Sequence, residues 1–344
     1  MIYFQCDYAE GCHPKILEAL TRTNLEQTPG YSVDDHCSHA RQLIREACGQ
    51  PEADVHFLVG GTQTNTTVIA SILRPYQGAL CADTGHINCH ETGAIEATGH
   101  KVLPLPNTDG MISGDQVRDY CKAHWADGSH EHVVQPGLVY ISYPTESGTL
   151  YSKVQLEDLS AACKEWNLPL FIDGARLGYG LTSPACDMTL QELAALCDVF
   201  YIGGTKCGAL FGEAVVITNP ELKRDFRYSI KRHGGMLAKG RLLGIQYETL
   251  FTDNLYFEIC RQAVSYALEI RNAFAEKGIP VFGTSRTNQQ FVELTDKQRA
   301  AFDGKFAYEV WGAGEHGGTV VRFCTSWATT RENVDALLKT IAAL

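Results

Sequence analysis

The chain has 344 residues, 44% hydrophobic and 20% charged, and 29 Lys and Arg against 40 Asp and Glu give a net charge of −11. That length supports a large buried core, enough for one large and one smaller domain. The acidic balance argues against nucleic acid or an anionic membrane surface as a partner. No basic-then-apolar opening reads as a signal peptide, and no apolar run reaches the roughly 18 residues a bilayer requires. Thirteen cysteines are scattered from Cys6 to Cys324 without a C-x-x-C pair. They read as reduced thiols of a cytoplasmic protein, and no metal is expected.

In chain order, Pro14 to Thr21 predicts a helix with proline in its first turn. Pro29-Gly30-Tyr31 predicts a turn, and His39 to Cys48 a helix ended by Gly49. Val55 to Val59 predicts a strand, followed by Gly60-Gly61-Thr62-Gln63-Thr64-Asn65 and an apolar helical pattern through Leu73. A strand, a glycine-rich turn and a helix N-terminus can hold an anion on free backbone N–H groups. An ordinary βα turn has the same ingredients. The stretch matches neither G-x-G-x-x-G nor the Walker pattern, so dinucleotides and ATP are disfavoured.

Further strands are predicted at Ala79–Ala82, Lys101–Leu105 and Leu138–Ser142, with helices at Glu91–Thr98, Gly114–His124 and Gln155–Trp166. This alternation argues for an α/β fold with a mostly parallel, doubly wound sheet, whose ligands sit beyond the carboxyl ends of the strands. Pro169 to Arg176 places Asp173 at the end of a buried strand, where a carboxylate is either paired or functional. An Asp173–Arg176 ion pair that only shapes a turn is the plainer alternative. Val199 to Ile202 predicts another buried strand, and Gly203-Gly204-Thr205-Lys206 follows it. A partly desolvated lysine amine loses its proton readily and can attack a carbonyl. A solvated loop lysine is the alternative, and Cys207 reads as packing.

Val215–Thr218 predicts a strand, and Arg224 to Arg241 is strongly basic. A long helix near Tyr256–Lys277 reads as a spine to a smaller region. There, strands at Gln290–Leu294 and Thr319–Cys324 alternate with helices at Lys297–Phe302 and Arg331–Ile341. The expected division is a large domain over 1–250 and a small α+β domain over 251–344.

An anion cradle, an Asp at a strand end and a Lys downstream are the groups pyridoxal 5'-phosphate requires. They serve its phosphate, its pyridine nitrogen and its aldehyde. The wording is also similar to one family. Asp173-Gly174-Ala175-Arg176 resembles the D-G-A-R element of the threonine aldolase and β-eliminating lyase family, within fold type I (aspartate aminotransferase-like). Gly60 to Asn65 resembles its S/T-G-T-x-x-N loop, Thr205 to Ala209 its S-K-G-L-G-A segment, and His86 to Ala94 its A-H-I…E-x-G-A segment. Tyr31 to Asp35 is similar to its Y-G-x-D stretch. Departures include Thr205 for Ser, Cys207 for Gly, Pro144-Thr145-Glu146-Ser147-Gly148 for E-N-T, and a Gly234–Arg241 run without the usual R-Q pair. They bear on substrate preference and on the phosphate contact across subunits.

The resemblance implies a large domain of that fold with a small C-terminal α+β domain. It implies that Lys206 binds the cofactor covalently, that Gly61, Thr62 and Gln63 serve the phosphate, that Asp173 serves the ring nitrogen, and that Thr205 and Arg176 also line the cofactor. His86 would stack on the ring. Arg176 and Arg322 would hold the substrate carboxylate, and His132 would stand near the substrate hydroxyl as an alternative base to His86. Tyr31, and a cation at Lys239 or Arg241, would reach a neighbouring subunit's site in a homodimer or homotetramer. The implied activity is retro-aldol cleavage of threonine or allo-threonine to glycine and an aldehyde. A β-eliminating lyase, and a non-catalytic binding protein on the same fold, are the alternatives.

Overall fold

The computed structural model describes residues 1–344. The chain opens with strand β1 (Ile2–Tyr3) and helices α1 (Pro14–Arg22) and α2 (Asp35–Cys48). Pro14 stands in the first turn of α1, and α2 is capped by the Asp34 carboxylate and closed by Gly49 in the left-handed conformation.

A β–α alternation then builds the large sheet. It runs β2 (Asp54–Leu58), α3 (Gly61–Ile72), β3 (Gln77–Ala82), α4 (His86–Cys89), β4 (Lys101–Leu105), α5 (Gly114–Ala126) and β5 (Gln135–Ser142). It continues with α6 (Lys153–Glu165), β6 (Leu170–Asp173), α7 (Leu177–Leu181), α8 (Leu190–Leu196), β7 (Val199–Gly203) and β8 (Glu213–Ile217). Serine or threonine with Gln or Glu three residues on forms a reciprocal cap at α5, α6 and α8.

The seven strands lie in the order β2-β8-β7-β6-β5-β3-β4. Only β8 runs against its neighbours. Along β3, Leu80 and Ala82 enter one apolar core while Ala79 and Cys81 enter another on the opposite face. Both faces are therefore covered, which is why these strands read as continuous apolar runs.

Helices α9 (Phe226–Arg232), α10 (Arg241–Phe251) and α11 (Leu255–Glu276) follow. Along α11, Tyr256, Ile259 and Cys260 pack in the large core, and Ile270 and Phe274 in a third. That third core lies under β9 (Gln289–Leu294), α12 (Asp296–Ala300), β10 (Phe306–Ala307), β11 (Glu309–Ala313), β12 (Thr319–Cys324) and α13 (Arg331–Ala342). Strands β11, β12 and β9 form an antiparallel sheet in that order.

Two sequence expectations meet a different structure, and the basic run, which carried no element in the sequence, takes several. The helix expected at Glu91–Thr98 is a turn ending in one 3-10 turn at Glu96–Thr98, because Thr92 and Gly93 adopt φ of 53° and 71°. The basic run Arg224–Arg241 is split between α9, a glycine-containing loop and the first residue of α10. The N-terminal residues, grouped by sequence with the large domain, pair through β1 with β10, and Phe4 sits in the third core.

Candidate active site

The carboxyl ends of β2, β5, β6 and β7 and the amino end of β8 converge on one cleft of about 210 Å³. Its walls include Gly60, Gly61, Thr62, His86, Glu146, Asp173, Arg176, Thr205, Lys206 and Glu213. No side chain caps α3 at Gly60, so the first-turn N–H groups of Gly61, Thr62 and Gln63 are free to face an anion. The Gln63 side chain is spent elsewhere: its Nε2 donates to the His233 carbonyl at 3.0 Å, leaving its backbone N–H for the cradle.

Asp173 ends β6 and is 4% exposed. Its carboxylate accepts from Tyr140 and Tyr201 hydroxyls at 2.5 Å each, and from Asn65 Nδ2 and Ala175 N–H at 3.0 Å. Burial pushes this carboxyl up. The His86 charge and the tyrosine hydroxyls outweigh burial, so the net shift is down and Asp173 stays ionised. That is the state needed to hold a protonated ring nitrogen.

Lys206 follows β7 in a turn closed by Gly208 (φ 101°), and Tyr179 donates its hydroxyl to the Lys206 carbonyl at 2.6 Å. Burial, with the Arg176 charge next, lowers the amine from its ordinary value. His86 Nδ1 meets Glu91 Oε1 at 2.8 Å, and Asn65 Nδ2 donates to the same oxygen at 2.7 Å. Burial alone would lower the imidazole pKa; the Glu91 contact and the Asp173 charge raise it overall. Cradle, carboxylate and lowered amine thus form a donor set that fits pyridoxal phosphate.

The two arginines enter the cleft already paired. Arg176 gives Nε and Nη2 to Asp7 at 2.7 and 3.0 Å, leaving Nη1 free. Arg322 is bonded to Gln289, the Gln5 carbonyl and Glu309, lies against Trp311, and keeps a buried Nε–H without a partner. Arg176 and Arg322 share a second hollow with Tyr8, His90, Glu146 and Lys206. The alternative of an Asp173–Arg176 pair does not form; Asp7 is the partner of Arg176.

Comparison with known proteins agrees with this geometry. Residues 7–299 match the family model described as beta-eliminating lyase. The chain belongs to the β-eliminating lyase family. Over its whole length it superposes on a threonine aldolase from Leishmania major with a TM-score of 0.96 and 43% identity, covering 99% of that chain. It is 27% identical to a low specificity L-threonine aldolase of Pseudomonas aeruginosa, covering 98% of this chain and 96% of the relative. A Thermus thermophilus aspartate aminotransferase shares the fold at a TM-score of 0.70 and 14% identity, over 100% of this chain and 91% of that one. The fold is therefore type I, as in other pyridoxal phosphate enzymes, and the lyase is a carbon–carbon lyase of the threonine aldolase kind.

Other residues singled out from the sequence lie outside the cleft in this β-eliminating lyase; for Tyr31, Lys239 and Arg241 the expectation concerned a neighbouring subunit's site. His132 is exposed and ends a 3-10 turn just before β5. The eight-residue strand β5 separates it from the cleft by about 25 Å at ~3.3 Å per residue, so His132 is corrected to a surface histidine at the wrong end of the sheet. Arg241 donates to the carbonyls of Thr23, Asn24 and Glu26 at the end of α1, so it is committed within its own subunit. Lys239 is exposed. Tyr31 lies outside the cleft, with Lys231 5.2 Å from its ring centre and Arg227 donating to its carbonyl. Sequence reasoning missed Asp7, Glu91, Tyr140, Glu146, Tyr201 and Glu213. Of these, Glu91 and Glu146 stood inside quoted segments; the position of Glu91 five residues after His86 was the available signal for it, while Glu146 reaches His86 from 60 residues away.

Proposed function

We propose that this lyase uses pyridoxal 5'-phosphate to cleave threonine-type β-hydroxy-α-amino acids to glycine and an aldehyde. The observation that carries the reading is the convergence, in one cleft, of the open α3 N-terminus, the ionised Asp173 and the amine of Lys206. When bound, the cofactor supplies an electron-withdrawing ring that accepts the electron pair left as a bond at the substrate Cα breaks.

The chain supplies the remainder. Lys206 offers a nucleophilic amine to the cofactor aldehyde. Gly61, Thr62 and Gln63 N–H groups hold the phosphate, and Asp173 holds the ring nitrogen. Arg176 Nη1 and Arg322 Nε give directed donors to the substrate carboxylate, because the charges of both arginines are already offset by Asp7 and Glu309. Fixing that carboxylate decides which bond at Cα is aligned to break. His86, oriented by Glu91, takes the proton of the β-hydroxyl, which directs cleavage to Cα–Cβ.

A second copy of the chain as partner is part of the proposal. Tyr31 and the strongly exposed Tyr228 stand with Arg227 and Lys231 on one face, and Lys239 projects from the adjoining loop. Such a face would give a neighbouring site the extra cation that a phosphate dianion favours. No helix is long and apolar enough to cross a membrane. We place the enzyme in the cytoplasm, where reduction would keep its thirteen free thiols as they are.

The test is a purified protein with pyridoxal phosphate and a panel of threonine, allo-threonine and serine. Equal amounts of acetaldehyde and glycine from the threonines support the reading. Pyruvate and ammonia from serine, with no aldehyde from threonine, would overturn it in favour of β-elimination.

A further inference from the structure

Glu213 is a buried acid that the mechanism above does not use. It opens β8 and is paired in register with Leu58, which precedes the cradle, and with Gly203, which precedes the lysine turn. Its side chain therefore stands between the anion cradle and Lys206, and it lines the same cleft. Glu213 is 3% exposed; Oε1 accepts from the Thr205 hydroxyl at 3.0 Å, and Oε2 is buried without a partner. Thr205 Oγ1 also accepts from the Gly212 N–H at 3.0 Å.

A hydroxyl has one proton and two lone pairs. If Glu213 is ionised, that proton is held by Glu213, and a carboxylate sits beside a phosphate dianion. If Glu213 is neutral, its own O–H fills the second lone pair of Thr205. The Thr205 proton is then released to point at the phosphate. We propose that Glu213 is a neutral carboxyl group that completes the phosphate cradle through Thr205 and sets how the grip on phosphate varies with pH. The proposal rests on the reading of this cleft as a pyridoxal phosphate site.

The surroundings favour the neutral acid. The groups that face it are Lys206 after β7, Asp173 at the end of β6, Tyr201 on β7 and Tyr247 on α10. Burial pushes the carboxyl up to about 8; the Thr205 hydrogen bond and the Lys206 charge oppose that rise, and the Asp173 charge adds to it. Burial also lowers Lys206, so both partners lean towards their uncharged forms, the form in which the amine is nucleophilic.

The experiment compares dissociation constants of the apoprotein for pyridoxal phosphate and for pyridoxal, which lacks the phosphate. Both ligands meet Lys206 in the same way, so the ratio of the two constants isolates the phosphate contact. The range from about pH 7 to 9.5 lies above the second ionisation of a phosphate monoester, near 6. The wild-type preference for the phosphorylated ligand should fall about tenfold across this range as the neutral donor is lost. Glu213→Gln, whose amide donates at every pH, should keep the full preference with no pH slope. Thr205→Val should lose about tenfold at the low end. A pH-independent wild-type ratio, or a Glu213→Gln profile that keeps the wild-type slope, overturns the proposal alone. Failure of both ligands to bind wild type overturns the cofactor reading with it. The wild-type profile decides the matter even if a variant fails to fold.

Discussion

Strand β5 carries histidine-rich surroundings at one end and a catalytic cleft at the other, and the two ends differ in how their polar groups are partnered. Before its amino end, His124, Trp125 and His130 pack ring on ring with centroids 5.0 to 5.8 Å apart, and His132 is exposed beside them. His124 is lowered by burial and then by His130 against an opposing Asp127 charge, and its buried Nε2 has no hydrogen-bond partner. Beyond the carboxyl end, Glu146 accepts from the His86 N–H and the Ser142 hydroxyl, and His86 joins Glu91, Asn65 and Asp173 in one buried network. Burial pushes Glu146 up, which adds a second raised acid to the cleft. The difference teaches that the strand end and the carboxylate partner, not the presence of histidine, decide which histidine is placed for proton transfer.

The strongest way to break this comparison is Lys206→Ala. It should remove aldehyde release by on the order of 10⁴-fold or more, the scale of losing a nucleophile. Borohydride reduction of the loaded wild type, followed by peptide mapping, should find the pyridoxyl label on Lys206. A label on another lysine would move the chemistry out of the cleft.

Next come the two histidines. His86→Ala should lower kcat by about 10²- to 10⁴-fold, the range of a general base, whereas His132→Ala should stay within about twofold, as surface substitutions do. The pH profile sharpens the contrast. His86 is raised above its ordinary value, so as a base it should give an acid limb above 6.5. Glu91 stabilises the charged imidazole, so Glu91→Gln should move that limb to lower pH. A limb unmoved by Glu91→Gln would deny His86 the role of base.

The sequence showed which strand ends carry chemistry, but not the groups that hold them there. Asp173 and Lys206 were legible because each follows a continuous apolar run, and Gly60–Gln63 because glycine and a helix start adjoin a strand. Tyr140 and Tyr201 were hidden because tyrosine inside an apolar strand reads as packing, although its hydroxyl reaches Asp173. Asp7 was hidden by distance along the chain: nothing near it announces a contact with Arg176, 169 residues away. His132 was misplaced because the resemblance located a histidine near a motif, while the direction of β5 puts it at the opposite edge.

Asp7 therefore supplies a test of partnered charge on the cleft side. Burial pushes its carboxyl up, the Arg176 and Lys206 charges pull it down, and the result is about 2. A carboxyl lowered from 3.8 to about 2 contributes ~2 kcal/mol of stability, present above pH 3.8 and lost as pH falls towards 2. Asp7→Asn should cost about 3 kcal/mol at neutral pH because it leaves the Arg176 guanidinium buried without its acid. It should also flatten the acid limb of stability between about pH 4 and 2. Urea unfolding at a series of pH values reads both, and an unchanged acid limb would show that the pair does not stabilise the fold.

The smallest contrast is between Arg241 and Lys239, two cations of one basic run with different partners. The Arg241 guanidinium bridges three carbonyls that end α1 and begin the following loop, at 2.9 to 3.1 Å. That loop leads to Tyr31. Arg241→Ala strands carbonyls at a helix end and should cost about 1 to 2 kcal/mol in thermal or urea unfolding. Lys239 is exposed and its side chain makes no hydrogen bond or ion pair in its own subunit, so Lys239→Ala should change stability by less than about 0.5 kcal/mol. If Lys239 serves a neighbouring site, its loss should instead weaken pyridoxal phosphate binding while leaving pyridoxal binding unchanged. A Lys239→Ala chain that binds both ligands as wild type does would remove Lys239 from the phosphate contact and leave Arg227 and Lys231 as the cations to test.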